Sequence, residues 1–527
     1  MKMETRRYRH CEAVYTDASS HFTAVDRLPD GRLFSVGSFG KVNAGGFVKD
    51  DTSNFVIGRV SGDEGHTWTL SFCRELPSGP ELLVAANMLI DHDGRIHVFF
   101  MRINNISFEA ASKCKGDITH MRLDNAEGDG LVYRKIDALD RYTGAMNNVI
   151  QLAGGRIIAP FSTLSGVEGS AFVSSVVYSD DNGETWRASN DVSVISDETH
   201  LESGAVEPVV VEVKKGVLIM LIRTVLNRIW YSVSYDGGTS WCQAKPTRIP
   251  SSNAPSVPVK LPDGRILLAW NNTLGHPMSG TRYSFARQCL HAAVSDDGLK
   301  TLKGVRTIVG KRRDDPDNVL NCYPFGGLAG EKDVFIRFFS VNNREGAHWG
   351  DPQAVLLRLN PDKLTETEMN GGFDEWVTDC EMDSEGIHLK PTNEGVAYAC
   401  VNFPYATEGT IRLRVSGKLP KGTRLLLADS YLDRMGFLPS MQGDHAGALN
   451  GLFAELHPTV DGEWKLEWNR ESLSMTTAVG SSSHNLKDWA RGFNHLILLY
   501  EGKDDEVIIK DFEMKAIQNR LETGIEY

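Results

Sequence analysis

The sequence lacks the features that mark a membrane-spanning or disulfide-stabilised protein. Its 527 residues contain no apolar run of about 18 residues, the length that crosses a bilayer as a helix. The basic amino terminus is not followed by the apolar segment of a secretory signal. The eight cysteines show neither a C-x-x-C motif nor paired short spacings, so we expect reduced, mostly buried thiols. These absences favour a cytoplasmic protein with no membrane partner.

Positive charge is also scarce. The chain has 56 lysines and arginines against 69 aspartates and glutamates, which gives a net charge of −13. Nucleic acids and anionic membranes bind basic surfaces, so we expect neither as a partner. An anionic ligand would have to be held by individual arginines. The chain is also too long for a single hydrophobic core, and two or three domains are expected.

A short motif repeats along the first part of the chain. The pattern S-x-D-x-G-x-T-W occurs at residues 61–68 and 179–186, with serine replacing threonine at 234–241. A degenerate copy with its glycine one place early lies at 295–302. The spacing fits a period of roughly 60 residues with one copy lost, which is the length of a four-stranded propeller blade with its loops.

The residues of this motif have a structural explanation. Asp and Gly form a turn between outer strands, the hydroxyl groups satisfy its backbone, and the tryptophan packs between strands. We therefore expect Asp63, Asp181 and Asp236 to build turns and not to catalyse a reaction.

A second repeat consists of an apolar run, a turn and another apolar run. Glycine in most of these turns supplies the positive φ of a tight hairpin. The hairpins predict six blades, at residues 12–72, 82–137, 143–190, 204–246, 252–308 and 318–360.

The predicted fold class is all-β, with two domains. Residues 1–365 are expected to form a six-bladed β-propeller. The motifs stop after a polar segment that ends at Gly371 and Gly372. The strand-like runs beyond it predict a β-sandwich of the jelly-roll type over residues 366–527.

Over residues 12–360 the chain resembles the sialidase (neuraminidase) superfamily of Asp-box, BNR-repeat propellers. In blade four, Glu207 is followed by an apolar strand, a turn and Arg223, as in that family. Arg287 lies shortly before the motif serine of blade five, where sialidases carry another carboxylate-binding arginine. Tyr323, in the segment N-C-Y-P-F, resembles the family's tyrosine nucleophile.

The resemblance implies a role for each of these residues. Tyr323 would attack the sugar while Glu207 takes its proton, because a substrate that bears a carboxylate repels a carboxylate nucleophile. Arg223 and Arg287 would bind the substrate carboxylate through bidentate hydrogen bonds. No cofactor is implied, and the spacing of the histidines in blade two predicts no metal site.

Two further positions are less regular. The general acid of sialidases lies on the loop before the first motif, where Asp50 and Asp51 are both candidates. Sialidases open the first blade with Y/F-R-I-P, but this chain has His21 at the position of the arginine. Histidine binds a carboxylate more weakly than arginine and is able to act as an acid or a base.

The expected function is that of an exo-acting glycoside hydrolase resembling a retaining sialidase. Its partner would be a glycan or oligosaccharide with a terminal acidic sugar, such as a sialic acid. A first alternative is a polysaccharide lyase for uronate-containing glycans that uses His21, Tyr323 and the two arginines. A second alternative is a glycan-binding propeller without catalysis, because a fold alone does not specify chemistry.

Overall fold

The structure is a computed structural model that describes most of the chain. The described residues are 7–8, 11–17, 24–39, 42–43, 46–47, 55–75, 82–105, 115–138, 146–167, 170–195, 203–273, 277–278, 282–283, 287–310, 319–342, 353–373, 375–390, 396–419, 422–432, 453–486, 492–501 and 506–527. They form antiparallel strands and one short helix.

The first three blades are antiparallel sheets whose strands follow one another in chain order. Blade one contains Ala24–Arg27, Leu33–Phe39, Phe55–Ser61 and Thr69–Glu75, with a small hairpin of Val42–Asn43 and Gly46–Phe47. Blade two contains Leu82–Ile90, Ile96–Asn105, Lys115–Leu123 and Val132–Lys135. Blade three contains Ile150–Gln151, Ile157–Val167, Ser170–Ser179 and Arg187–Ala188, and Val192–Ser193 also pairs with its third strand.

The remaining blades complete the ring. Blade four contains Val206–Lys214, Val217–Arg223, Arg228–Ser234 and Lys245–Pro250. Blade five contains Val257–Lys260, Ile266–Trp270, Leu290–Ser295 and Thr301–Val309, with a hairpin of Pro277–Met278 and Arg282–Tyr283. Blade six contains Val319–Leu328, Val334–Asn342 and Gln353–Leu359. The first strand of blade six contacts those of blades five and one, which closes a six-bladed propeller.

The N-terminal strand belongs to the last blade. Cys11–Asp17 pairs with Gln353–Leu359, and Arg7–Tyr8 pairs with Cys11–Asp17. The prediction that blade one begins at residue 12 is therefore wrong, since its first described strand begins at Ala24. Joining the first and last parts of the propeller in one sheet ties the ring closed.

The repeated motif forms the turn between the third and fourth strands of a blade. In blade one, Asp63 accepts hydrogen bonds from the hydroxyls of Ser61 (2.8 Å) and Thr67 (2.6 Å). The degenerate copy in blade five keeps this geometry, because Leu299 adopts a φ of 71° in place of glycine and its N–H donates to the Ser295 hydroxyl at 2.8 Å. The motif aspartates are thus turn-building residues, as predicted.

A β-sandwich follows the propeller. The helix Pro361–Leu364, capped by Asn360, leads into it. One sheet contains, in order, Glu381–Asp383, Gly386–Leu389, Val507–Gln518, Glu408–Gly417, Gly462–Trp468, Ser472–Thr477 and Gly480–Asn485, and Glu368–Asn370 pairs with Val507–Gln518. The other contains Trp376–Thr378, Ala397–Ala406, Phe493–Tyr500, Arg424–Ala428 and Phe453–Leu456. Side chains of both sheets share one core.

The end of the chain returns to the propeller. Arg520–Glu522 pairs with the last strand of blade five, although the sequence places residues 366–527 in the sandwich. Leu521 and Ile525 are buried in a core formed by blades four and five. The Thr307 N–H of blade five also donates to Asn402 Oδ1 of the sandwich at 2.8 Å. The two domains are therefore joined by a shared strand and by buried hydrogen bonds.

Two sequence-based expectations concern the chain as a whole. Among the described residues, no helix has the length and apolar character needed to cross a membrane. The seven described cysteines are free thiols, of which Cys73 and Cys242 are exposed and the other five are buried. The burial of five of these seven cysteines agrees with the expectation of mostly buried thiols.

Candidate active site

Two blades carry an unusual backbone conformation in their first strands. Glu207 in blade four has a φ of 45°, and Tyr323 in blade six has a φ of 56°. Both lie where the pairing with the second strand shifts register, between Val206 and Val209 and between Cys322 and Phe325. Left-handed backbone at a non-glycine residue costs about 1–3 kcal/mol and is concentrated at functional sites. Bulges of this kind redirect a side chain out of the regular strand pattern.

These two side chains meet across the propeller. The Tyr323 hydroxyl donates to Glu207 Oε1 at 3.0 Å, although the residues are far apart in sequence. Arg223 Nη1 donates to Glu207 Oε2 at 2.6 Å and lies 3.5 Å from the Tyr323 hydroxyl oxygen. The three residues therefore form a hydrogen-bonded triangle of a phenol, a carboxylate and a guanidinium.

Arg287 lies against the same tyrosine. Its guanidinium carbon is 5.3 Å from the centre of the Tyr323 ring, within the range of a cation–π contact. Arg287 is 1 % exposed and Arg223 is 5 % exposed, whereas Tyr323 is half-buried. The two guanidiniums thus place positive charge at the ring and at the hydroxyl of the most accessible member of the group.

The surroundings of Tyr323 determine the pH at which its phenol ionises. Burial raises the pKa of Tyr323 well above its usual value, and the charge of Glu207 raises it further. The charges of Arg223 and Arg287 oppose this shift but do not cancel it. The phenol is therefore neutral near pH 7 and needs a proton acceptor to act as a nucleophile. Glu207 Oε1, which receives the hydrogen bond of the phenol, lies in position to accept that proton.

Two buried asparagines bond to the site and to the backbone beside it. Asn253 Oδ1 accepts from Arg223 Nε at 2.7 Å, and its carbonyl oxygen accepts from Arg287 Nε at 3.1 Å. The Asn271 side chain donates to the carbonyl oxygens of Cys289 and Asn321, at 2.8 Å each. Sequence reasoning missed these residues, because no motif marks an asparagine that bonds to a neighbouring blade.

The structure brings together four of the seven residues predicted for the site: Glu207, Arg223, Arg287 and Tyr323. The other three, His21, Asp50 and Asp51, lie outside the described residues, and their roles stay predictions. Within the described part of the chain, no group of three or more histidine, cysteine, aspartate or glutamate side chains is arranged to hold a metal ion.

The histidines of blade two have a structural role. His97 and His120 are buried, and His97 Nδ1 lies 2.9 Å from His120 Nε2. The other nitrogen of His97 lies 3.1 Å from Asp91 Oδ2. Burial lowers the pKa of both histidines, so they form a neutral hydrogen-bonded chain within the blade.

Comparison with known proteins gives a partial family match. The family model described as a BNR repeat-like domain matches residues 84–315. This range contains Glu207, Arg223 and Arg287 and three of the four repeated motifs, but not Tyr323. No curated protein matches the sequence.

Several solved structures resemble the chain at low sequence identity. A protein of unknown function from Dyadobacter fermentans DSM 18053 is 17% identical over 67% of this chain and 99% of the other, with a TM-score of 0.47. Hadza microbial sialidase Hz136 is 16% identical over 66% of this chain and 67% of the other, also with a TM-score of 0.47. Trypanosoma rangeli sialidase is 13% identical over 94% and 91%, with a TM-score of 0.42.

The family match and the fold agree with the sequence motifs. The matched range covers less than half of the chain and lies within the propeller. Four motif turns stand between the outer strands of blades one, three, four and five. Residues 84–315 therefore match a BNR repeat-like domain and lie in a six-bladed β-propeller, which agrees with the BNR-repeat motifs of the sequence.

Proposed function

We propose that the chain is an exo-acting glycoside hydrolase that releases a terminal acidic sugar with retention, using Tyr323 as its nucleophile. The observation that carries this proposal is the hydrogen bond from the Tyr323 hydroxyl to Glu207 Oε1, at 3.0 Å. A phenol bonded to a buried carboxylate has a ready path for its proton. Such a pair has no obvious use in a protein that only binds glycans.

The reaction would proceed in two displacements. The Tyr323 oxygen attacks the anomeric carbon as its proton passes to Glu207, and the glycosidic bond breaks. The leaving oxygen takes a proton from the general acid, for which Asp50 and Asp51 are the candidates. Water then attacks the same carbon and gives its proton to the carboxylate that acted as the general acid. The bond to Tyr323 breaks, and Glu207 returns its proton to the phenolate oxygen.

The charges of the site favour an acidic sugar. Two guanidiniums and one carboxylate lie around Tyr323, in a chain whose net charge is −13. This leaves a local excess of positive charge that attracts a carboxylate. A neutral phenol also approaches a carboxylate-bearing carbon without the repulsion that a second carboxylate would meet. The proposed substrate is therefore a glycan that ends in a sialic acid or a related acidic sugar.

A fluorogenic aryl sialoside tests this proposal. The wild type is expected to release the fluorophore, and Tyr323→Phe is expected to be slower by at least about a thousandfold. Tyr231→Phe is the matched control, because Tyr231 is a buried tyrosine of blade four that bonds to Gly524 at the end of the chain. If Tyr323→Phe were as active as this control, Tyr323 would not be the nucleophile.

A parallel assay separates the other two functions. Uronate oligosaccharides cleaved by a lyase acquire a double bond that absorbs ultraviolet light. Rising absorbance without fluorophore release would show that the chain is a lyase and not a hydrolase. Glycan binding with neither product formed would show a propeller that binds glycans without catalysis.

A further inference from the structure

Asn253 bonds to both guanidiniums of the site. Its side-chain oxygen accepts from Arg223 Nε at 2.7 Å. Its main-chain oxygen accepts from Arg287 Nε and Nη2, at 3.1 and 2.5 Å. Asn253 is 4 % exposed and lies between the last strand of blade four and the first strand of blade five. One residue at the junction of two blades therefore links the two arginines that surround Tyr323.

The bond to Arg223 determines where that guanidinium points. A guanidinium is planar, so fixing Nε in one direction fixes the directions of its other nitrogens. With Nε on Asn253, Arg223 Nη1 faces Glu207 Oε2 and the Tyr323 hydroxyl. Loss of the acceptor would let the guanidinium turn about its long aliphatic chain. The reacting groups would then lose their alignment as well as a hydrogen bond.

The bonds to Arg287 have a different origin. They use the Asn253 carbonyl, which every residue type at this position retains. The neighbouring backbone is held by Ser252, whose N–H donates to the Asn271 carbonyl at 3.2 Å and whose carbonyl accepts from Ala254 at 2.7 Å. Substituting the Asn253 side chain should therefore disturb Arg223 and leave Arg287 in place.

The amide is also suited to the site by its neutrality. An aspartate would accept the same hydrogen bond from Arg223 Nε but would add a second negative charge beside Glu207. The local excess of positive charge would then be cancelled, and a substrate carboxylate would be held more weakly. Asparagine therefore orients Arg223 without competing for its charge.

We propose that Asn253 is a positioning residue that orients Arg223 toward Glu207, Tyr323 and the substrate carboxylate, and that its neutral amide preserves the charge that attracts an acidic sugar. This inference rests on the proposed function, because the carboxylate in question is that of the substrate.

Two substitutions of Asn253 and one control test the inference by steady-state kinetics. Asn253→Ala removes the acceptor, and we expect kcat to fall about tenfold to a hundredfold, as small misplacements of reacting groups do. Asn253→Asp keeps the acceptor, so we expect a kcat closer to the wild type but a higher KM than the wild type. Asn402→Ala is the control, because Asn402 is a buried asparagine (5 % exposed) that accepts from the Thr307 N–H across the domain interface and donates to the Asn494 carbonyl within the sandwich.

The outcomes separate a positioning role from a structural one. A structural role would lower the melting temperature of Asn253→Ala, as expected for Asn402→Ala, and leave kcat and KM unchanged. That result would overturn the inference. It would also be overturned if Asn253→Asp had the same kcat as Asn253→Ala, or the same KM as the wild type.

Failure of the proposed function gives a different result. Calorimetric titration with free sialic acid measures carboxylate binding without catalysis. A wild type that neither hydrolyses the sialoside nor binds sialic acid refutes the proposed function and the inference together. A wild type that binds or hydrolyses, with an Asn253→Ala variant that equals it in both, refutes only the role of Asn253.

Discussion

Replacing Glu207 by glutamine separates the proton acceptor from the shape of the site. The carboxylate accepts from the Tyr323 hydroxyl at 3.0 Å on one oxygen and from Arg223 at 2.6 Å on the other. A glutamine amide has one acceptor oxygen and one donor nitrogen, so it can accept only one of these two hydrogen bonds. The variant therefore keeps the volume of the side chain but loses the basic carboxylate and one of its two accepted hydrogen bonds.

The substitution is expected to lower both the rate and the pKa of Tyr323. General base catalysis contributes about a hundredfold to ten-thousandfold, so we expect kcat to fall by that range. The pKa of Tyr323 should fall at the same time, because the charge of Glu207 is one of the causes that raise it. A phenol that ionises more easily in a slower enzyme would show that the accepting carboxylate, and not the acidity of the phenol, sets the rate.

The assay combines turnover of the fluorogenic sialoside with ultraviolet titration of tyrosinate, using Tyr323→Phe to identify the signal of Tyr323. Glu212→Gln is the control, since Glu212 lies on the same strand and bonds to the turn at Gly216. A folded Glu207→Gln variant with a kcat within about threefold of this control would refute general base catalysis by Glu207.

Three other predictions concern stability. Folding raises the pKa of Tyr323, so the contribution of Tyr323 to stability is complete below about pH 10, the pKa of a solvated phenol, and is lost at higher pH. The free energy of unfolding of Tyr323→Phe, measured with denaturant, should therefore fall less steeply above about pH 10 than that of the wild type. Glu375→Ala should destabilise by about 3–5 kcal/mol in the same assay, because it leaves the fully buried Arg306 without its partner at 2.6 Å; a loss under about 1 kcal/mol would contradict this. Leu521→Ala should cost about 2–5 kcal/mol if the returning strand stabilises blade five, whereas the same change at the exposed Leu70 should have little effect on the melting temperature.

The fold was largely predictable because its signals are local and repeated. Each motif turn uses side chains within eight consecutive residues, such as Ser61, Asp63 and Thr67, and the hairpins require only alternation and a turn. The strand at Cys11–Asp17 was assigned to the wrong blade, since its partner is at the opposite end of the propeller sequence. The returning strand at Arg520–Glu522 was missed for the same reason.

For the site, the sequence by itself determined the candidate residue types and their order: a glutamate and an arginine around one hairpin, then a second arginine and a tyrosine in the next two blades. Only the tertiary structure decided that Tyr323 donates to Glu207 and that both residues adopt left-handed backbone at bulges. It also decided that Asn253 binds both arginines. The physical reason is that these contacts join different blades, and closure of the ring, not local sequence, sets the distances between them.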